Sequence, residues 1–268
     1  FRRVLFRSKS INESLQYHLS TLLQYTKQYM TLWNFYASNH SIYAFLQGDE
    51  ITKYKLHFKN LVYMKDKMYL LFIDIYYALD LFSYIDNKPK KIMNIGETKG
   101  GFMYALEHVK CVQHDICTIV SSKDVELEMY PFSFHKEIGD FFSVEAFHKY
   151  IHTYKNSQDI IIMNEVYEPS KYNAQLFHSI CFAICCQKFN GIFICRIDDI
   201  YDSCTVEILY ILSLFYYQVH IYKPKILEQH LNVKFIICTS FLYHNSEFIF
   251  DTFLNNIKHC IRSEEHTS

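Results

Sequence analysis

From Lys91 onward the chain alternates short apolar runs with helical stretches, and this alternation constrains the fold more than any other feature. The runs are Ile92 to Ile95, Cys117 to Val120, Phe134 to Ile138, Ile160 to Met163, Ile192 to Cys195, Val219 to Tyr222 and Phe235 to Cys238. Short, nearly continuous apolar runs suit strands covered on both faces, which is the condition of a parallel sheet. Between them, Phe102 to Lys110, Val144 to Tyr154, Ala174 to Lys188 and Thr205 to Tyr217 carry helical spacing. Strand–helix–strand units of this kind predict an α/β protein with a doubly wound, mostly parallel seven-stranded sheet.

Upstream the periodicity is helical. Residues 11–46 and 53–84 place apolar side chains at three- and four-residue steps, among them Leu15, Leu19, Leu22, Leu23 and Met30, then Leu61, Met64, Met68 and Leu71. Gly48-Asp49-Glu50 separates the two groups and Asp86-Asn87-Lys88-Pro89 closes the second. The two extreme tails read differently again. Arg2 to Ser8 and Arg262 to Ser268 back-translate to the two strands of one common sequencing adapter, so both are set aside as scars. The expected organisation is an adapter-derived segment over 1–8, a helical N-terminal extension over 9–86, the α/β domain over 87–261 and a second adapter-derived segment over 262–268.

Half of the residues are hydrophobic and 18% are aromatic, with 23 Tyr and 23 Phe, enough apolar surface to exclude disorder. A formal net charge of -1 argues against a strongly basic nucleic-acid surface, although local lysines can still meet phosphates. No apolar run reaches the roughly eighteen residues needed to span a bilayer, so no membrane association is expected. Nine cysteines form no Cys-x-x-Cys framework, and Cys181, Cys185 and Cys186 fall at helical spacing in an apolar stretch. Buried free thiols in a reducing, cytoplasmic setting are the expectation, with no metal site.

With only six glycines in the chain, Gly96 and the pair Gly100-Gly101 mark special backbone. The first strand ends at Gly96, and a helix starts just after Gly101, so free backbone N–H groups and a helix dipole face the intervening loop. The spacing is neither the phosphate-binding loop, which needs a following Gly-Lys-Ser/Thr, nor the dinucleotide Gly-x-Gly-x-x-Gly. It suits a cofactor whose adenosine and amino-acid ends straddle a strand tip, such as S-adenosylmethionine. A tight βα turn is the plainer alternative.

Four local matches across roughly residues 60–242 give the chain a family likeness. Asn94-Ile95-Gly96-Glu97-Thr98-Lys99-Gly100-Gly101-Phe102, Ile138-Gly139-Asp140-Phe141, Asp159 to Asn164, and the late strands Gly191 to Arg196, Tyr222-Lys223-Pro224 and Lys234 to Cys238 follow one order. That order resembles the FtsJ-like ribose 2′-O-methyltransferases, which use S-adenosylmethionine and include RNA cap methyltransferases of viruses and eukaryotes. The resemblance implies a Rossmann-like fold and a cofactor held by Asn94, Gly96, Gly100, Gly101, Phe102, Asp140 and Asn164. RNA, at a cap or another ribose 2′-hydroxyl, is the implied partner. The Tyr, Phe, Ile, Asn and Lys content suits a large DNA virus or another AT-rich genome.

The resemblance also implies a Lys-Asp-Lys-Glu tetrad, and here the chain departs from the family. Asn164 stands at the Asp position, Arg196 at the second Lys position and Val233 at the Glu position. Direct spacing puts the first Lys near Ile75, and Lys67 fills the role only if an insertion precedes the first strand. The implied catalytic set is therefore Lys67, Asn164 and Arg196. Arginine stays protonated and can steady a developing alkoxide but cannot serve as general base. Asp140 could instead cap the helix at Val144, and Glu165 could replace the carboxylate only by a slip of one residue on the strand. Three readings remain open at this point: an RNA 2′-O-methyltransferase with a degenerate tetrad, an inactive methyltransferase-like domain that binds RNA or a protein partner, and an α/β protein whose glycines only make a turn.

Overall fold

The computed structural model describes residues 67–78, 85, 88–96, 101–109, 115–121, 134–165, 167–168, 171–198, 200, 203–224 and 233–265. The predicted helices over 11–46 lie outside these residues, as do residues 53–66 and 79–84 of the second helical group and residues 97–100.

In chain order the elements are α1 (Lys67–Ala78), β1 (Lys91–Ile95), α2 (Gly101–Val109), β2 (Ile116–Ser121), β3 (Phe134–Ile138), α3 (Val144–Tyr154), β4 (Gln158–Met163), α4 (Tyr172–Cys186), β5 (Gln187–Ile197), α5 (Ser203–Phe215), β6 (Tyr216–Tyr222), β7 (Lys234–Phe241) and α6 (Glu247–Glu265). The seven strands form one sheet in the order β3-β2-β1-β4-β5-β7-β6. The β1–β2, β1–β4, β2–β3 and β4–β5 pairs are parallel, and β7 enters antiparallel between β5 and β6. The strand order reverses between β1 and β4, the place where such sheets open a crevice at the strand ends.

Strand alternation builds two cores. Met93, Ile95, Ile161, Met163, Phe193 and Cys195 face one side, under α3, α4, α5 and α6. Ile92, Ile160, Ile162, Ile192, Ile194, Phe235 and Ile237 face the other, under α1 and α2. On that second side Phe72 of α1 meets the Phe102 ring edge-on at 5.1 Å and Phe235 at 6.1 Å, tying α1 and α2 to β7. Every residue of α4 from Leu176 to Cys186 is buried, and all but His178 and Ser179 are apolar, because neighbours cover the helix all round. Cys181, Cys185 and Cys186 belong to that face as free, buried thiols, and burial pushes the Cys185 thiol up to about 12.

Among the described residues the predicted strands and helices fall close to where the runs placed them, with three main differences: helix α5 ends at Phe215 rather than Tyr217, because Tyr216 and Tyr217 already belong to β6, and the other two concern α4 and α6. Helix α4 stops at Cys186 rather than Lys188, because β5 begins at once and bulges: Gln158 pairs with Gln187, but Ile160 pairs with Ile192. Asn190 takes a left-handed φ of 63 in the bulge, and a Cβ at Gly191 would sit 2.8 Å from the Lys188 carbonyl oxygen. Gln187 is fully buried there, donating to the Gln158 carbonyl at 2.8 Å and accepting from the Tyr216 hydroxyl at 3.1 Å. The last difference is α6, which the strand-by-strand reading does not anticipate although Ile249, Phe253 and Ile257 line one helical stripe.

Candidate active site

At the carboxyl rim of the sheet the backbone ladder continues past the strands. The Gly96 N–H donates to the Val120 carbonyl at 3.0 Å, Asn164 N–H to Ile95 at 2.9 Å and Gly139 N–H to Ser121 at 3.1 Å. These bonds stitch the tips of β1, β2, β3 and β4 into one ledge. Gly96 holds φ at 82, and a Cβ there would lie 2.6 Å from the Glu165 backbone nitrogen and Cα. Only glycine relaxes in that conformation with that neighbour.

On one side of the ledge is a cleft of about 150 Å³ lined by Ser121, Asp140, Phe142, Glu165, Glu168 and Gln175, among others. Its floor is the turn after β3. The exposed Asp140 carboxylate accepts from the Phe142 N–H at 3.0 Å, and Ser143 caps α3 by accepting from the Ala146 N–H at 3.1 Å. The helix cap is therefore Ser143, and Asp140 stands one turn earlier at the cleft mouth. Under the floor His178 is buried against Phe141, Phe142 and Phe147, with ring centroids 4.9 to 5.6 Å away. Desolvation lowers its pKa to about 3, against a smaller opposing effect of its backbone hydrogen bond with Phe141, so the imidazole stays neutral. The carboxylates of Asp140, Glu165 and Glu168 give the cleft acceptors suited to hydroxyl and amino donors.

On the other side the register aligns a row of side-chain positions. Met163 pairs with Cys195, so Asn164 and Arg196, the next residues, stand side by side on neighbouring parallel strands. Arg196 pairs with Phe235, and Phe235 pairs with Tyr222. Alternation puts this row on the α1–α2 side of the sheet. Asn164 is 8% exposed, and its Oδ1 has no hydrogen-bond partner among the described residues. The Arg196 guanidinium is mostly buried, with Nε 3.5 Å from the Asp198 carboxylate. Val233 is packed against the core of this same side.

The sequence-derived site residues divide between these places. Asn94 is buried in β1, Gly96 ends it, Gly101 opens α2 as a buried residue, and Asp140, Asn164 and Arg196 reach the rim. Phe102 is fully buried against Phe72 and Tyr76 beneath the sheet, so it holds α2 in place rather than presenting a face at the rim. Lys67 opens α1, with its side chain outside the described residues, and Gly100 lies outside them altogether. Glu165 lines the cleft instead of joining the Asn164–Arg196 row, as opposite faces of neighbouring residues require. Sequence reading did not name Glu168, Gln175 or Asp74, and it named Tyr222 only within the family match and not as a site residue. Of these, only Tyr222 carried a signal, by ending a strand beside Lys223-Pro224.

The sequence model of the FtsJ-like methyltransferase family matches residues 75–241, which span β1 through β7 and both sides of this rim. The chain belongs to the FtsJ-like methyltransferase family. Comparison with curated protein sequences gives no match. Among solved structures, a putative ribosomal RNA methyltransferase from Plasmodium falciparum is similar at 19% identity over 63% of this chain and 96% of that one, with a TM-score of 0.45. Human methyltransferase-like protein 13, in complex with SAH, is similar at 11% identity over 70% and 92%, TM-score 0.45. Spermidine synthase from Thermotoga maritima is similar at 14% identity over 71% and 67%, TM-score 0.46. In this FtsJ-like methyltransferase Asn164, Arg196 and Val233 lie on the α1–α2 side of the sheet, and the cleft lies on the other side. No helix among the described residues is long and apolar enough to cross a membrane.

Proposed function

We propose that this chain binds S-adenosylmethionine at the β1–β4 rim and methylates a ribose 2′-hydroxyl of RNA, of mRNA-cap type, with a catalytic tetrad that has diverged. The observation that carries this reading is the rim itself: a left-handed Gly96 that leaves no room for a Cβ stands one strand from Asn164 and two from Arg196, inside the segment matched to the family. The residues suit the cofactor. Gly96 lets the Glu165 backbone close against the tip of β1 and so shapes the rim, the buried Asn164 Oδ1 lacks a partner among the described residues, and Asp140 offers a carboxylate at the cleft mouth. Asn94, Gly100, Gly101 and Phe102 complete the proposed cofactor set, with Phe102 acting from beneath as a support.

When bound, the cofactor supplies an electrophilic methyl group on a sulfonium. The chain's own residues then have separate tasks. Arg196 stabilises negative charge developing on the ribose oxygen, since its guanidinium remains protonated. Asn164 orients a neighbour without adding charge, and Lys67 is the proposed remaining cation of the set. The buried thiols support a reducing, cytoplasmic setting and the AT-rich composition a viral source. A second reading, an inactive domain that binds RNA or a protein partner, is motivated by the family resemblance, which puts Asn164, Arg196 and Val233 at three of the four tetrad positions.

Calorimetric titration of the full chain with S-adenosylmethionine and S-adenosylhomocysteine, beside Gly100→Val, tests the site. Micromolar binding abolished by valine is expected, followed by methyl transfer to RNA that falls in Arg196→Ala. Binding without transfer would select the second reading, and no binding by the folded chain would overturn the enzyme reading.

A further inference from the structure

Helix α1 carries an aspartate where only apolar side chains would be expected. Leu71, Phe72, Ile73, Ile75 and Tyr76 are buried at 2% exposure or less, and Asp74 among them is 2% exposed. Its Oδ2 accepts a hydrogen bond from the Tyr222 hydroxyl at 3.0 Å. Tyr222 is the last residue of β6, half-buried, and packs on the same core as α1. A buried carboxylate costs stability unless it is well bonded, and an apolar pair of similar volume would hold α1 to β6 at lower cost. An ionisable pair kept at a strand-end rim is instead a mark of chemistry.

The register says which chemistry it can join. Tyr222 and Arg196 both pair with Phe235, so they lie two strands apart, on the order of 10 Å between backbones, on the same face. Both strands run the same way and end at the same rim. Phe72 on Phe235 fixes α1 over this row. The row from Asn164 through Arg196 to Tyr222 thus contains a cation and, at its far end, a hydroxyl bonded to a carboxylate. A general base is what Asn164, Arg196 and Val233 cannot supply.

We propose that Tyr222 and Asp74 form the proton acceptor for the ribose hydroxyl, a relay that takes over the base function at this rim. The idea rests on the rim being a methyl-transfer site. In the step, the hydroxyl proton moves to Tyr222 Oη while the phenolic proton moves to Asp74 Oδ2, leaving a neutral tyrosine and a carboxyl group. The freed electron pair on the ribose oxygen bonds the methyl carbon of the sulfonium donor, the carbon–sulfur bond breaks, and its pair remains on sulfur as a neutral thioether. Arg196 stabilises the oxygen as charge develops. Tyr222 is a catalytic residue in this scheme, and Asp74 acts through it.

The test uses the full chain with Tyr222→Phe and Asp74→Asn, and with Tyr217→Phe as control on the exposed face of the same strand. Three quantities are read: single-turnover methyl transfer to RNA, S-adenosylmethionine affinity with melting temperature, and the binding preference for a single-stranded RNA over DNA of the same sequence. Expected is a loss of transfer of about 100-fold or more in both variants, the range of a general base, with cofactor affinity and melting temperature retained. Tyr222→Phe should also lose part of the RNA preference, because the phenol that meets the 2′-hydroxyl is gone, and the control should behave as wild type. Variants within about threefold of an active wild type would overturn the relay and leave the methyltransferase reading standing. Transfer lost together with cofactor binding or the melting transition would make the pair structural and overturn the relay as well. A wild type that binds cofactor and RNA without transfer would overturn both.

Discussion

Lowering the pH should destabilise this fold through His178 specifically, and His178→Phe should remove that part of the acid sensitivity. His178 is 2% exposed on α4, ringed by Phe141, Phe142 and Phe147, and its pKa is lowered from 6.5 to about 3 by desolvation. The folded state therefore binds fewer protons than the unfolded chain between those two values. Stability falls as pH drops through about 6.5 and levels off only below about 3. At pH 5 the unfolded imidazole is about 97% protonated and the folded one about 1%, which corresponds to about 2 kcal/mol of lost stability. Urea unfolding followed by circular dichroism, at about pH 8 and pH 5, should show the wild type losing about 2 kcal/mol more than His178→Phe over that interval. The phenyl ring keeps the aromatic packing but cannot titrate, so other histidines cancel in the comparison. Equal losses in the two proteins, within about 0.5 kcal/mol, would refute the assignment of a neutral buried imidazole.

Gly96→Ala should cost about 1–3 kcal/mol in thermal or urea unfolding, because its left-handed φ is strained for a residue with a Cβ and that Cβ would meet the Glu165 backbone. Cofactor binding measured by calorimetry should fall with it; an alanine variant with wild-type stability would show that the rim relaxes freely. Asn156→Ala should cost about 2 kcal/mol, since Asn156 holds φ at 48 and its Oδ1 accepts from both the N–H and the hydroxyl of Ser246 at the entry to α6. Asn156→Gly should recover the backbone part and not the hydrogen bonds, which urea unfolding of the two variants separates.

The central strands β1, β2 and β4 were legible because they are buried on both faces, and continuous apolar runs announce such strands without help from neighbours. Phe134–Ile138 and Val144–Tyr154 agree residue for residue with the runs that predict them. The start of β5 was not legible, because the bulge at Asn190 and Gly191 is set by Gln187 bonding the β4 backbone, a contact between distant segments. The N-cap of α3 illustrates the same limit on a smaller scale: Asp140 and Ser143 are both plausible caps by type, and the turn geometry chose Ser143.

The sequence by itself determined the α/β order, the special backbone at Gly96, the place of Asn164 and Arg196 at strand ends, and the family. Each of these is local, written in residue type and spacing. The tertiary structure decided which of those residues share a face. It sent Glu165 into the cleft and Phe102 into the core, put Asn164 beside Arg196, and brought Asp74 to Tyr222 across 148 positions of chain. Spacing along a chain fixes the side a residue faces within its own element, but strand register and helix packing fix what stands opposite, and chemistry at this rim depends on the latter.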